Sequence, residues 1–240
     1  MKRPKTIAAP KAPKALKAPK AAREPLAPLR ATPRHAVMLA EPDGAAAEAV
    51  RALRTRIQSQ HINAGRRALA ICGASPEVGC SFVAVNLAIS LSQVGIKTLL
   101  IDGNLREPTV QNYFQVEDAS GGLQACLASP EAMVMDFIHE HLLPDLDVMF
   151  AGPASPRAQE LIANERFPAL VNACMRDYDI TIIDTPPANR CSDALRISMI
   201  AGFSLIVARK NRSLVSDVRT LADQLRKERA VVVGTVLNSY

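Results

Sequence analysis

No stretch of this chain approaches the roughly 20 apolar residues needed to span a bilayer. The longest apolar run, Ile197 to Ala208, is closed by Arg196 and Arg209 and reads as a helix end feeding a buried strand. The N-terminus lacks the apolar stretch of a secretory signal, so export is not expected. The five cysteines, at 72, 80, 126, 174 and 191, form no CxxC pair and no metal-ligand spacing. Reduced thiols in a cytosol are therefore expected, not disulfides or a zinc site. Of the four histidines only His139 and His141 lie close together, and a solvated helix face is expected there ahead of a chelating pair.

Acidic residues are almost absent from the N-terminal region. Residues 1–35 carry ten Lys/Arg against the single acid Glu24, a charge of +9, whereas residues 36–240 carry nineteen against twenty-two, a charge of −3. The basic character thus belongs to a Pro/Ala/Lys-rich segment that lacks the aliphatic content for a core. Residues 1–43 are expected to be a disordered tail and 44–240 a single folded domain. Lys11, Lys14, Lys17 and Lys20 recur every third residue, which would align them along one edge of a polyproline II rod. A solubilising linker, an acidic lipid surface and loose nucleic-acid binding all suit such a ridge, with nucleic acid the least favoured.

The residues that follow alternate between two patterns. Residues 45–60 read as a helix. Strands are expected at 68–72, 97–102, 146–150, 180–184, 203–209 and 231–237, and helices at 81–94, 157–163, 166–177, 192–201 and 214–228. Continuously apolar strands such as Thr181-Ile182-Ile183 imply a sheet covered on both faces. The alternation predicts an α/β fold: a doubly wound, mostly parallel sheet with helices on both faces, with ligands at the carboxyl ends of its strands.

One of those strand ends is unusual. Residues 73–81 read Gly-Ala-Ser-Pro-Glu-Val-Gly-Cys-Ser between an apolar strand and an apolar helix. The phosphate-binding P-loop pattern closes on Gly-Lys-Ser/Thr. Gly79 and Ser81 fit, but Cys80 stands in place of the lysine. Two further strands end in aspartate, at Asp102 and Asp184. Ser81, Asp102 and Asp184 are the set that a magnesium-nucleotide site requires, although strand-terminal aspartates also cap turns.

From residue 44 onward the chain resembles the bacterial tyrosine kinases and cytoplasmic kinase-like proteins of capsule and exopolysaccharide synthesis, within the ParA/MinD-like P-loop ATPases. Glu48-x-x-Arg51-x-x-Arg54 is similar to that family's oligomerisation motif. Leu99 to Asp102, continuing Gly103-Asn104-Leu105-Arg106-Glu107-Pro108, resembles its second Walker motif. Ala151-Gly152-Pro153 with Ala158 to Ile162 resembles a later loop and helix, and Tyr178-Asp179 through Asp184-Thr185-Pro186-Pro187 its Walker B region. Val236-Leu237-Asn238 resembles the strand end whose Asn238 approaches adenine. The resemblance implies nucleotide binding by Gly79, Cys80, Ser81 and Asn238, metal binding by Ser81, Asp102 and Asp184, and catalytic roles for Asp102 and Asp184 in an active enzyme. It implies Mg2+ with ATP or ADP where nucleotide binding persists, and no cofactor otherwise.

The departures shape the functional expectation. The loop has lost its lysine and one glycine, the latter replaced by Glu77. The second acid of the Asp-x-Asp pattern is Asn104, and the tyrosine-rich C-terminal tail is reduced to Tyr240. A Cys80 thiolate, favoured by a helix N-terminus, would add negative charge where phosphate must sit. The leading expectation is a kinase-like scaffold or regulator with impaired catalysis, at the cytoplasmic face of the membrane. It would act beside a membrane-embedded chain-length or export protein, as a possible homo-oligomer. An active autokinase using a borrowed cation (Arg106, Lys210 or a neighbour's arginine) and a ParA/MinD-like positioning protein are the alternatives.

Overall fold

The computed structural model describes residues 35–114, 116, 121–129 and 131–239; the basic tail through residue 34 and Tyr240 lie outside them. In chain order the elements are α1 (Val37–Ala40), α2 (Ala45–Gln60), β1 (Ala68–Gly73), α3 (Cys80–Ser92), β2 (Thr98–Asp102), α4 (Leu123–Ala128), β3 (His139–Leu143), β4 (Leu146–Met149), α5 (Ala158–Ala163), α6 (Arg166–Asp177), β5 (Ile180–Asp184), α7 (Asp193–Ala201), β6 (Phe203–Arg209), α8 (Val215–Lys227) and β7 (Val231–Asn238). The strands form one sheet in the order β3-β4-β2-β5-β1-β6-β7. Every neighbouring pair is parallel except β3 with β4. The expected doubly wound architecture is present.

Side chains alternate across a strand, and here the alternation divides the interior in two. Leu69 and Ile71 of β1 and Ile180 and Ile182 of β5 face the layer built by α1, α2 and α3. Ala68, Ala70, Cys72 and Ile183 face the layer built by α4 to α8. Helix α3 fills the first layer: every residue from Val83 to Ser92 is buried. Within it the fully buried Asn86 ties down the start of the fold, accepting Met38 N–H at 3.2 Å and donating to His35 O at 3.0 Å. Ala36, Val37 and Met38 are buried there. The tail boundary expected at residue 43 is therefore too late, because composition alone hides a short apolar segment docked on α3.

His139 and His141 lie on β3, not on the solvated helix face expected for them. The His139 ring packs edge-on against Phe150 at 4.9 Å. Pro144-Asp145, with Asp145 at φ 57°, reverses the chain into β4, a turn signal that makes this segment the antiparallel edge of the sheet.

The central strands β1, β2 and β5 end side by side. Asp102 is in register with Asp184, and Ile71 with Asp184. Just beyond Asp102, Gly103 donates its N–H to Asp184 O at 3.0 Å. A Cβ there would lie 2.6 Å from that same carbonyl oxygen, so no side chain fits without parting the strand tips. Gly103→Ala is expected to lower stability by about 1–3 kcal/mol, seen as a lower urea midpoint at unchanged slope.

Candidate functional site

The turn from β1 into α3 wraps residues 74–79 across the strand tips. Two left-handed residues shape it: Glu77 at φ 58° and Gly79 at φ 96°. Glycine adopts this conformation freely, whereas a side chain at position 77 carries a cost of about 1–2 kcal/mol. A Cβ on Gly79 would lie 2.2 Å from Asn238 Nδ2, and Asn238 donates to Val78 O at 3.0 Å. Val78 and Cys80 fold inward over Gly73, where an added Cβ would meet Val78 Cγ2 at 2.4 Å and Cys80 Sγ at 2.7 Å. The side chain standing in the lysine's place is thus turned into the protein, beside Cys72 and Asp184.

That environment decides the charge of Cys80. Burial pushes its thiol well above the usual range, and the Asp184 carboxylate and Cys72 push it further. Desolvation thus outweighs the helix dipole and favours the neutral thiol over the expected thiolate. Cys80 is half-buried.

Beside it sit two wholly buried carboxylates. Asp184 accepts the Ser81 hydroxyl at 2.5 Å and Thr185 N–H at 3.0 Å. Since the single Ser81 proton goes to Asp184, Thr109 donates to Ser81 Oγ at 2.7 Å. Asp102 accepts N–H groups from Asn104, Thr109 and Val110 at 3.0, 3.2 and 3.1 Å. Burial raises Asp102 to about 6. Asp184 is raised well above the ordinary value, first by burial and then by the charge of Asp102.

Asn104, where a second acid was expected, is engaged in its own loop. Its amide donates to Glu107 O at 2.8 Å while its oxygen accepts Glu107 N–H at 3.1 Å. A carboxylate lacks the donor for the first of these bonds.

Of the cations expected to replace the lysine, Arg106 is engaged elsewhere. Arg106 pairs with the buried Asp193 at 2.8 Å, which commits it to the start of α7. Instead, Arg209 donates to Glu77 O at 3.0 Å, and Arg212 pairs with the Glu77 carboxylate at 2.6 Å. The run Arg209-Lys210-Asn211-Arg212 after a buried strand marks a basic turn, but nothing in it names Glu77 as the partner. Gly79, Cys80, Ser81, Asp102, Asp184 and Asn238 therefore converge at one place. Glu48, Arg51 and Arg54 do not join them. They lie on α2, where Arg51 pairs with Glu48 at 3.1 Å and Arg54 donates to Ser90 O at 3.2 Å, about two and a half turns along α3 from Ser81.

Known proteins share both this sequence and this fold. No family model matches the chain. It is 30% identical to the tyrosine-protein kinase YwqD of Bacillus subtilis over 207 residues, covering 85% of this chain and 86% of that one. The chain belongs to the bacterial tyrosine-protein kinase family. It is also 33% identical over 198 residues to EpsB of Ralstonia solanacearum, a longer relative of which it spans 26%. Among solved structures, the kinase domain of the Escherichia coli tyrosine kinase ETK matches with a TM-score of 0.79 at 32% identity, over 85% of this chain and 79% of that one. The cell-division ATPase MinD of Pyrococcus furiosus shares the fold, with a TM-score of 0.63 at 24% identity over 73% of each chain.

The donor set of this tyrosine-kinase relative suits a magnesium ion better than a triphosphate. Asp102 and Asp184 are buried without a cationic partner in their bonds, and both resist ionisation, the condition a divalent ion relieves. Among the described residues no group of three or more His, Cys, Asp or Glu is arranged to hold a metal. Two carboxylates and a hydroxyl suit an ion that keeps several waters. The phosphate side fits less well, with a neutral thiol and a carboxylate where a lysine and a glycine belong.

The same acids give the protein a pH dependence. The folded state keeps protons that the unfolded chain releases from about pH 4 upward. Stability from this pair is therefore greatest below that pH and falls as pH rises through about 6 for Asp102, and beyond it for Asp184. Urea titrations across this range should show a continuous decline in the unmodified chain. In Asp184→Asn the decline should level off once Asp102 has ionised.

Proposed function

We propose that this chain is a kinase-like protein of capsule, exopolysaccharide or adhesin synthesis that has lost most of its phosphotransfer capacity and serves as a scaffold or regulator. The carrying observation is Cys80: a neutral thiol packed over Gly73 at the position of the phosphate-binding lysine. A charged hydrogen bond of the kind it removes contributes about 1.5–3 kcal/mol. Its loss weakens phosphate binding by roughly one to two orders of magnitude. Phosphoryl transfer depends almost wholly on positioning and charge stabilisation, so turnover falls further than binding.

The remaining parts are read as retained. Ser81, Asp102 and Asp184 would hold magnesium, which when bound neutralises charge on phosphate oxygens. The first-turn N–H groups of α3 lack acceptors within the helix and would offer a phosphate its donors. Asn238 supports the loop from β7, and we assign it to the nucleoside end of the same pocket. Glu48, Arg51 and Arg54 are assigned to contacts between copies of the chain, a role that needs no catalysis. The proposed setting is the inner face of the membrane, beside a membrane-embedded export or chain-length protein. Consistent with a peripheral position, among the described residues no helix is long and apolar enough to cross a membrane.

Tyrosine phosphorylation and ATP turnover by the purified chain test this reading. The expected rates lie at least about a hundredfold below those of the Glu77→Gly, Cys80→Lys double variant, which restores the loop's glycine and cation. Robust magnesium-dependent turnover by the unmodified chain, abolished in Asp184→Ala, would reject it.

A further inference from the structure

The mouth of the loop holds a second feature that the missing lysine does not explain. Glu77 sits in the left-handed conformation and turns its carboxylate outward to Arg212, at 2.6 Å. Arg212 is held on a braced turn: Arg209 N–H donates to Ser213 Oγ at 2.9 Å, Ser213 N–H donates to Arg209 O at 2.9 Å, and Asn211 takes φ 60°. Arg209 fastens the turn to the loop through Glu77 O at 3.0 Å. A guanidinium is thus fixed at the rim of the loop, with a carboxylate of that loop as its partner. The pair is open to water, with side-chain exposures of 49% for Arg212 and 67% for Glu77. Exposed pairs of this kind are weak, so another anion exchanges for the carboxylate readily.

We propose that Arg212 is the cation this loop offers to a phosphoryl ligand in place of the lysine, and that Glu77 is the internal anion such a ligand displaces. The ligand class is a pyrophosphate group, free or carried by a nucleoside. A planar guanidinium takes a phosphate oxygen pair in the same bidentate manner as a carboxylate, so one partner substitutes for the other without rebuilding the turn. The inference rests on the proposed function only in placing a phosphoryl ligand on this loop. It concerns affinity and requires no turnover, so catalytic activity in the chain would reject the first reading and leave this one standing.

Calorimetric titration of the full chain with Mg-ADP and with magnesium pyrophosphate tests the exchange. Glu77→Gln keeps the backbone restraint of a side chain and removes only the charge; it should tighten binding by about five- to tenfold. Arg212→Gln should weaken binding by roughly ten- to a hundredfold. Arg212→Lys should recover most of that loss, and Arg212→Gln should cancel the gain in Glu77→Gln. A response to both probes assigns recognition to the phosphates, and a response to Mg-ADP alone assigns it to a nucleotide; either supports the exchange. Unchanged affinity in Arg212→Gln, no tightening in Glu77→Gln, or no measurable binding by any of these proteins overturns it. Both side chains are exposed, and unchanged urea midpoints would confirm that the variants fold.

Discussion

Two carboxylates are held wholly out of water at adjacent strand tips, and much of the surrounding architecture exists to make that tolerable. Burying an ionised carboxylate is expensive unless hydrogen bonds or a cation compensate it. Asp102 is wrapped by three backbone N–H groups of its own loop, and Asp184 by the Ser81 hydroxyl and one N–H. Gly103 has no side chain because the strand tips must approach closely enough to bring these groups together. The loop after β1, the turn after β2 and the segment after β5 are therefore interdependent. Displacing any one of them exposes or strands a charge.

This arrangement also explains how a phosphate loop can lose its cation and keep its shape. In a working P-loop the conformation and the charge are supplied by different residues. Here Gly79 and Asn238 maintain the turn, while Val78 and Cys80 fill its underside with apolar contact. The loop is braced from within, from β7 through Asn238 and from the end of β6 through Arg209. The turn is held by residues other than the one that would carry the charge.

Most of the sheet was legible in the sequence because β1, β2, β5 and β6 are largely apolar runs closed by Gly, Asp or Arg, a pattern with few alternatives. The strand tips were legible for the same reason: Asp102 and Asp184 end such runs. Short or weakly periodic elements were not. The segment at 36–40 has too few residues to show a period, and β3 disguises itself with two histidines and a glutamate. The ionisation of Cys80 was misjudged because sequence shows the helix N-terminus but not the burial that opposes it. Asn104 read as a missing acid, whereas its amide donor has a partner that only the folded loop reveals. The Arg212–Glu77 contact joins positions 135 residues apart, and spacing alone carries no record of it.

Helix α3 deserves a last consideration as a mechanical part. It begins at the phosphate loop, runs buried through one layer of the protein, and near its far end is gripped by Arg54 through Ser90. One buried helix thus joins the phosphate loop to the element that carries Glu48 and Arg51. Were a neighbour on that surface and a ligand at the loop coupled, linkage would make the effect equal in both directions.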